Sequence, residues 1–200
     1  MKRSSLFFTV LSLTLALGII SFLRAGATQN HISKSFVRFH VIANSDLPRD
    51  QEVKLKVRDA VVKQAEAITR AAKNSAEAQL ELEKRLPELE RTANAVLNRE
   101  GVLYSATATL NHRYFPTKAY AGLRLPAGDY DAVSITLGEG NGRNFWCVLF
   151  PPLCVTPASV TTTETGLSEE ELALLTETGT ITRYRFLLME LFGKLEHKMD

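Results

Sequence analysis

The segment from Asp131 to Phe150 constrains the fold most strongly, because two strand-like stretches flank a glycine-rich connection. Asp131–Leu137 alternates apolar and polar residues, the period of a half-buried β-strand. Phe145–Phe150 is apolar at every position, which is typical of a strand covered on both faces. Pro151 follows it directly and ends it, because proline cannot donate to a β-ladder. The pattern predicts a hairpin whose loop, Gly138–Asn144, contains three glycines.

Two further strands and a helix start are predicted earlier in the chain. Phe36–Ala43 and Val102–Tyr114 alternate in the same way. After the first of these, Asn44-Ser45-Asp46 precedes Pro48, and a capping side chain followed by proline in the first turn is a helix start signal. Asp46 is therefore interpreted as a helix cap, with a recognition or catalytic carboxylate as the alternative.

A second helical region is predicted from Asn74 to Gly101. Asn74 and Glu77 have the spacing of a capping box, Pro87 is expected to kink or restart the helix, and Gly101 is expected to end it. An apolar stripe runs along this region and indicates either core packing or a seam for a partner helix. The stripe consists of Leu82, Leu86, Leu89, Ala93 and Val96.

The remaining segments are assigned from weaker patterns. Gln29–Ser35 is polar and predicts a short tether, and Pro116–Gly128 is too irregular for a regular element. Ile181–Phe186 alternates like an extended segment, and Leu187–His197 returns to a helical period. Together these assignments predict an α+β fold with a small mixed or antiparallel sheet of about four strands. The element order is β-α-α-β-β-β-α, with the helices packed on one face.

The N-terminus carries an export signal. Lys2 and Arg3 precede an uncharged apolar run from Leu6 to Leu23, and Ala25-Gly26-Ala27 follows as a small-x-small site. The run also reaches the length of a membrane span, so residues 1–27 are either a cleaved signal peptide or a membrane anchor. Residues 28–200 are expected to form a single exported α+β domain. If the leader is uncleaved, the protein contacts the membrane only through residues 6–23.

The charge of the exported part argues against nucleic-acid binding. Residues 1–27 hold three of the 24 basic residues and none of the 22 acidic ones, so residues 28–200 carry 21 basic and 22 acidic side chains and a net charge of −1. A nucleic-acid-binding domain normally carries a basic excess. The whole-chain net charge of +2 therefore reflects the leader.

No familiar catalytic or ligand-binding signature is present. The loop from Gly138 to Asn144 precedes a strand, whereas phosphate-binding glycine loops precede a helix N-terminus, so a hairpin or protein-binding loop is favoured. His40 and His112 are interpreted as structural, with a catalytic role as the alternative. Cys147 and Cys154 form either a disulfide, as expected outside the membrane, or a pair of buried thiols. Neither a metal site nor a cofactor is expected.

Three stretches resemble the stage II sporulation protein R family of endospore-forming bacteria. They are GLRLPAGDYDA at 122–132, GEGNGRNFWCVLFPPLC at 138–154 and FVRFHVIANSDLPRDQEVKLKVRDAVV at 36–62. The resemblance implies a signal made in the forespore and exported into the space between the forespore and mother-cell membranes. There it would activate a membrane-embedded aspartic protease of the mother cell, which processes the precursor of an early mother-cell sigma factor.

In this interpretation the chain is a protein ligand, with no enzymatic activity and no small-molecule substrate. The alternative is an exported cell-envelope hydrolase or ligand-binding protein. The partner-binding surface is expected at the glycine loop, its flanking residues and the segment around Arg124, which is expected to adjoin the loop. The candidate residues are Arg124, Gly138, Glu139, Gly140, Gly142, Arg143, Asn144 and Trp146.

Overall fold

The computed structural model describes residues 2–120, 122–154, 160–176 and 180–199. Helices in the described part are α1 Lys2–Lys34, α2 Pro48–Thr69, α3 Ser75–Lys84, α4 Leu86–Arg99, α5 Thr162–Thr165, α6 Glu169–Thr176 and α7 Thr180–Met199. Strands are β1 Val37–Ile42, β2 Ala106–Phe115, β3 Lys118–Tyr120, β4 Leu123–Leu125, β5 Gly128–Leu137 and β6 Asn144–Phe150.

A mixed sheet of four strands, in the order β2-β5-β1-β6, forms the centre of the fold. β1 runs parallel to β5 and antiparallel to β6, and β2 runs antiparallel to β5. The predicted α+β class and the four-stranded sheet are confirmed. β3 and β4 form a separate two-stranded sheet within Pro116–Gly128, so the prediction that this segment has no regular element was wrong.

The predicted hairpin between β5 and β6 was also wrong, because β1 lies between these two strands. Neighbouring strands lie about 4.8 Å apart, so the connection from β5 to β6 must span about 10 Å across the end of β1. Each of the first five residues of β1 is buried, and pairing on both edges satisfies its backbone groups. The apolar run of β6 therefore belongs to an edge strand, in which the second half, Cys147–Phe150, is buried.

One face of the sheet packs on α2 and α4, as the sequence predicted. Val53, Val57 and Leu89 are fully buried in the core that also holds Phe39 and Val133 of the sheet. Pro48 lies in the first turn of α2, and the Asn74 side chain accepts a 2.9 Å hydrogen bond from the Glu77 backbone amide at the start of α3. The apolar stripe of the second helical region contributes to this core rather than to an exposed seam.

Helices also cover one end of the opposite face, which the sequence did not predict. α1 runs unbroken to Lys34 and buries Ile32 in a second core with Phe36 and Phe115. The predicted tether Gln29–Ser35 is therefore helical up to Lys34 and largely buried. Ile181–Phe186 belongs to α7, so its extended assignment was wrong, because packing of Phe186 and Met189 into this second core decides the conformation.

Candidate functional site

The glycine-rich connection folds back on the segment that follows β1. The backbone amides of Asn141 and Gly142 donate to the carbonyls of Asn44 and Ala43 at 3.1 and 2.9 Å. The backbone amide of Glu139 donates to the Asn44 side chain at 3.1 Å. These bonds satisfy the backbone of a loop that crosses the end of β1.

Arg143 and Asp46 lock the end of this loop. The Arg143 backbone amide donates to the Asp46 carboxylate at 2.8 Å, and the Arg143 Nε lies 3.4 Å from the same carboxylate oxygen. Lys54 donates from Nζ to the Arg143 carbonyl at 2.9 Å. The N-cap of α2 is Leu47, so Asp46 is not the helix cap that we predicted but a contact to the glycine loop.

Two glycines in this loop are required by close approach. A Cβ on Gly142 would lie 2.2 Å from the Ser45 carbonyl oxygen, a backbone atom that cannot move aside. A Cβ on Gly138 would lie 2.2 Å from the Asn44 side-chain oxygen, and this glycine also has a φ of +54°. The glycine content and the length of the loop therefore follow from its packing across β1.

Asp50 organises the segment on which the loop rests. Its carboxylate accepts from the Asn44 amide at 2.9 Å, from the Ser45 hydroxyl at 2.6 Å and from the Tyr104 hydroxyl at 2.7 Å. Burial alone would raise the pKa of Asp50, but the hydrogen bonds from Ser45, Asn44 and Tyr104 outweigh it and hold the pKa below its usual value. The carboxylate therefore stays charged and holds Asn44 and Ser45 in place.

We name the combined surface of Asn44–Asp50 and Gly138–Arg143 the junction surface. Asp46, Glu139 and Arg143 are exposed on it. Leu47, which belongs to this surface, is 65% exposed, and Leu103, in the segment before β2, is fully exposed. Leu103 belongs to the segment that contacts the loop, since the Gly138 amide donates to the Ser105 carbonyl at 2.8 Å.

Sequence reasoning missed Leu47, Leu103, Asp50 and Tyr104. A leucine between Asp46 and the helix-starting Pro48 has no place in either apolar face, which is a signal that could have been used. Leu103 was assigned to a strand that in the structure begins only at Ala106. Nothing local in the sequence links Asp50 to Tyr104, because they are 54 residues apart.

Arg124 does not lie beside the junction surface. Its β4 strand precedes the start of β5, whereas Gly138 follows the end of β5, and this ten-residue strand spans about 30 Å. The Arg124 guanidinium instead lies 4.4 Å from the ring centroid of Phe186 and 3.9 Å from the Glu190 carboxylate, both on α7. The structure thus separates Arg124 from the predicted partner-binding residues of the loop Gly138–Asn144.

Trp146 belongs to a buried polar cluster on the second face of the sheet. Its ring stacks on the His40 ring with 5.0 Å between centroids. The His40 Nε2 lies 2.6 Å from the Ser134 hydroxyl and 3.0 Å from an Arg113 nitrogen. Burial lowers the pKa of His40 to about 4, and the charges of Arg113 and Arg38 act in the same direction.

Asn144, Cys147 and Cys154 complete the predicted site residues. Asn144 is exposed at the start of β6, opposite Ile42 of β1. Cys147 and Cys154 are joined by a disulfide with a Cα–Cα distance of 5.4 Å. Within the described ranges, no group of three or more His, Cys, Asp or Glu side chains has the arrangement of a metal site.

The family model described as Stage II sporulation protein R (spore_II_R) matches residues 33–160. That range is more than half of the chain and contains both parts of the junction surface. The chain belongs to this family. Membership of this family supports a role in sporulation.

A curated relative agrees with this assignment. Stage II sporulation protein R of Bacillus subtilis (strain 168) is 41% identical over 118 residues, which cover 59% of this chain. The match spans 53% of the relative, about half of its length. No solved structure matches the chain.

Proposed function

We propose that this chain is an exported signal of endospore formation that activates a membrane-embedded aspartic protease of the mother cell. That protease would process the precursor of an early mother-cell sigma factor. Family membership supports the sporulation role, and the resemblance of the sequence motifs suggests the partner. The observation that carries the proposal is the junction surface, where two of the three motifs meet.

The junction surface has the composition of a protein-binding site. Exposed Leu47 and Leu103 offer apolar contact area, and Asp46, Glu139 and Arg143 add exposed charged side chains. Interfaces commonly combine an apolar centre with a polar rim in this way. The backbone hydrogen bonds of the loop hold these groups in place before binding, which lowers the entropy lost on association.

The His40–Ser134 pair is the observation that favours the alternative, an exported hydrolase. A serine hydroxyl 2.6 Å from an imidazole nitrogen is the spacing of an activated nucleophile. However, Ser134 is only 2% exposed, and the Arg113 guanidinium approaches the same His40 nitrogen. The other ring nitrogen, Nδ1, has no hydrogen-bond partner among the described residues, whereas a catalytic histidine is normally oriented there by an acid. These features favour a structural pair.

A co-expression assay tests the proposal. The chain and the protease are produced together, and cleavage of the sigma-factor precursor is scored for Leu47→Ala, Leu103→Ala and Arg143→Ala. We expect each to weaken activation at normal secretion and melting temperature. Arg124→Ala is the matched control, because it removes an exposed arginine that precedes the start of β5, whereas the glycine loop follows the end of this strand. Normal activation by the three junction variants, with loss in Arg124→Ala, would move the partner surface to α7.

Two further variants test binding against turnover and the need for export. Ser134→Ala should fold and activate normally, and loss of activation with an unchanged melting temperature would favour hydrolase chemistry. Deletion of Lys2–Leu23 should give a silent protein that stays in the cytoplasm, because the apolar run needed for export is gone. Activation by this cytoplasmic form would contradict the export step.

A further inference from the structure

The N-terminal helix continues without a break from its apolar half into the folded domain. α1 spans Lys2–Lys34. Residues from Leu6 to Leu23 are almost all exposed, and burial begins at Gly26. By length and composition the helix can cross a membrane, and no residue of its most apolar 18-residue segment is buried against the domain. One continuous helix therefore joins the exposed apolar segment Leu6–Leu23 to the core of the domain.

Two of the small residues at the predicted processing site, Ala25 and Gly26, are packing residues in this helix. A Cβ on Gly26 would lie 2.5 Å from the ring of Phe192 on α7, so a larger residue would have to displace this ring. Phe22 contacts the same ring with 5.6 Å between centroids. Ala25 is partly buried against the second core. Ala25 and Gly26 thus have a structural reason to be small that is independent of a processing enzyme, whereas Ala27 is exposed.

The next turns of α1 are built into the domain. Gln29 is 1% exposed, and its side-chain amide donates to the Ala127 carbonyl at 3.1 Å. Ile32 is fully buried, and the carbonyl of Lys34 accepts a 2.5 Å hydrogen bond from the Ser75 hydroxyl. A cut after Ala27 would leave a stub of α1 from 28 to 34 and would uncover the Phe192 side of α7.

We infer that the chain is not cut at Ala25–Ala27 and remains in the membrane by α1. The lipid bilayer is the partner of the exposed run Leu6–Leu23. At 1.5 Å per residue this run is about 27 Å long, close to the thickness of a bilayer hydrocarbon core. Arg24 follows directly, where a long basic side chain reaches the lipid headgroups. The anchored domain presents the junction surface at the end of β5 opposite Gly128, the residue that packs against Gln29 of α1.

Fractionation and mass measurement of the exported protein test this inference without any activation assay. Cells producing the full chain are extracted with alkaline carbonate, and the intact mass of the protein is measured in the membrane pellet and the supernatant. We expect it in the pellet at the full-length mass of 22.2 kDa. A soluble product that begins at Thr28 would overturn the inference.

Gly26→Leu provides an independent measurement on the exported protein. If α1 is retained, the leucine collides with Phe192, and the melting temperature of the exported domain falls by several degrees, as expected for overpacking. Gly18→Leu is the matched control, because a Cβ there meets nothing within 4 Å, and it should melt like the unaltered protein. An equal melting temperature for both variants would mean that residue 26 is absent from the exported domain. Because neither readout involves the protease, failure here leaves the proposed function standing.

Discussion

The backbone amide of Arg143 donates a 2.8 Å hydrogen bond to the carboxylate of Asp46, a residue 97 positions earlier in the chain. This bond fastens the glycine loop to the segment after β1 and completes the junction surface. Asp46→Ala should increase hydrogen exchange at the loop amides and lower the free energy of unfolding by about 1 kcal/mol. Asp46→Asn keeps an acceptor oxygen and should retain much of the protection. Unchanged exchange in Asp46→Ala would contradict the loop docking.

The close approach at Gly142 gives a steric prediction. Gly142→Ala places a methyl group against the Ser45 carbonyl oxygen, so the loop must move, and we expect a loss of about 1–3 kcal/mol in unfolding free energy. Gly18→Ala is the control, since its Cβ meets open space. Thermal unfolding of the two purified variants makes the comparison. Equal melting temperatures would show that the loop does not rest on Ser45.

Asp50 predicts a loss of stability in acid. Its folded-state pKa is held below the usual value, so its contribution is present above the unfolded pKa of about 3.9 and is lost as the pH falls through the folded pKa. Asp50→Asn should flatten this part of the stability curve and lower stability at neutral pH. The measurement is the free energy of unfolding against pH from 2 to 7. A curve with the same slope in Asp50→Asn as in the unaltered protein would contradict this role of Asp50.

His40 predicts a second pH dependence at a higher range. Its folded-state pKa is about 4, so the unfolded chain binds the proton first as the pH falls below about 6.5. Stability from neutral His40 is therefore present above pH 6.5 and is lost between pH 6.5 and 4. NMR titration should show His40 uncharged at pH 6, whereas a midpoint near its ordinary value would contradict the buried cluster. His40→Gln should reduce the slope of stability in this window.

The disulfide gives a prediction on chemical state. Exported protein should have a mass about two units below the fully reduced chain, because Cys147 and Cys154 are bridged. Intact mass measurement with and without a reductant reports the difference. Two thiols that react with a maleimide only after unfolding would instead support buried free cysteines.

Part of the candidate site followed from the sequence, because its determinants are local. The glycine loop, the start of α2 at Pro48 and the capping pair Asn74–Glu77 depend on backbone conformations and on side chains within a few residues. The apolar period identified the faces of α2 and α4 for the same reason. The resemblance to the family pointed to both segments of the junction surface, Asn44–Asp50 and Gly138–Arg143, but it did not indicate that they lie together in space.

Only the tertiary structure decided which of these parts meet. Insertion of β1 between β5 and β6 converted the predicted hairpin loop into a crossing, brought it onto Asn44–Asp50 and moved Arg124 to the α7 end. Strand order and helix docking depend on contacts between residues far apart in sequence. A local sequence pattern does not specify which distant segment a strand or helix will pack against. Likewise, the sequence determined that residues 6–23 are apolar enough for a membrane, but only the tertiary structure brought Gly26 of α1 against Phe192 of α7. The close approach of two helices 166 residues apart is a property of the folded chain alone.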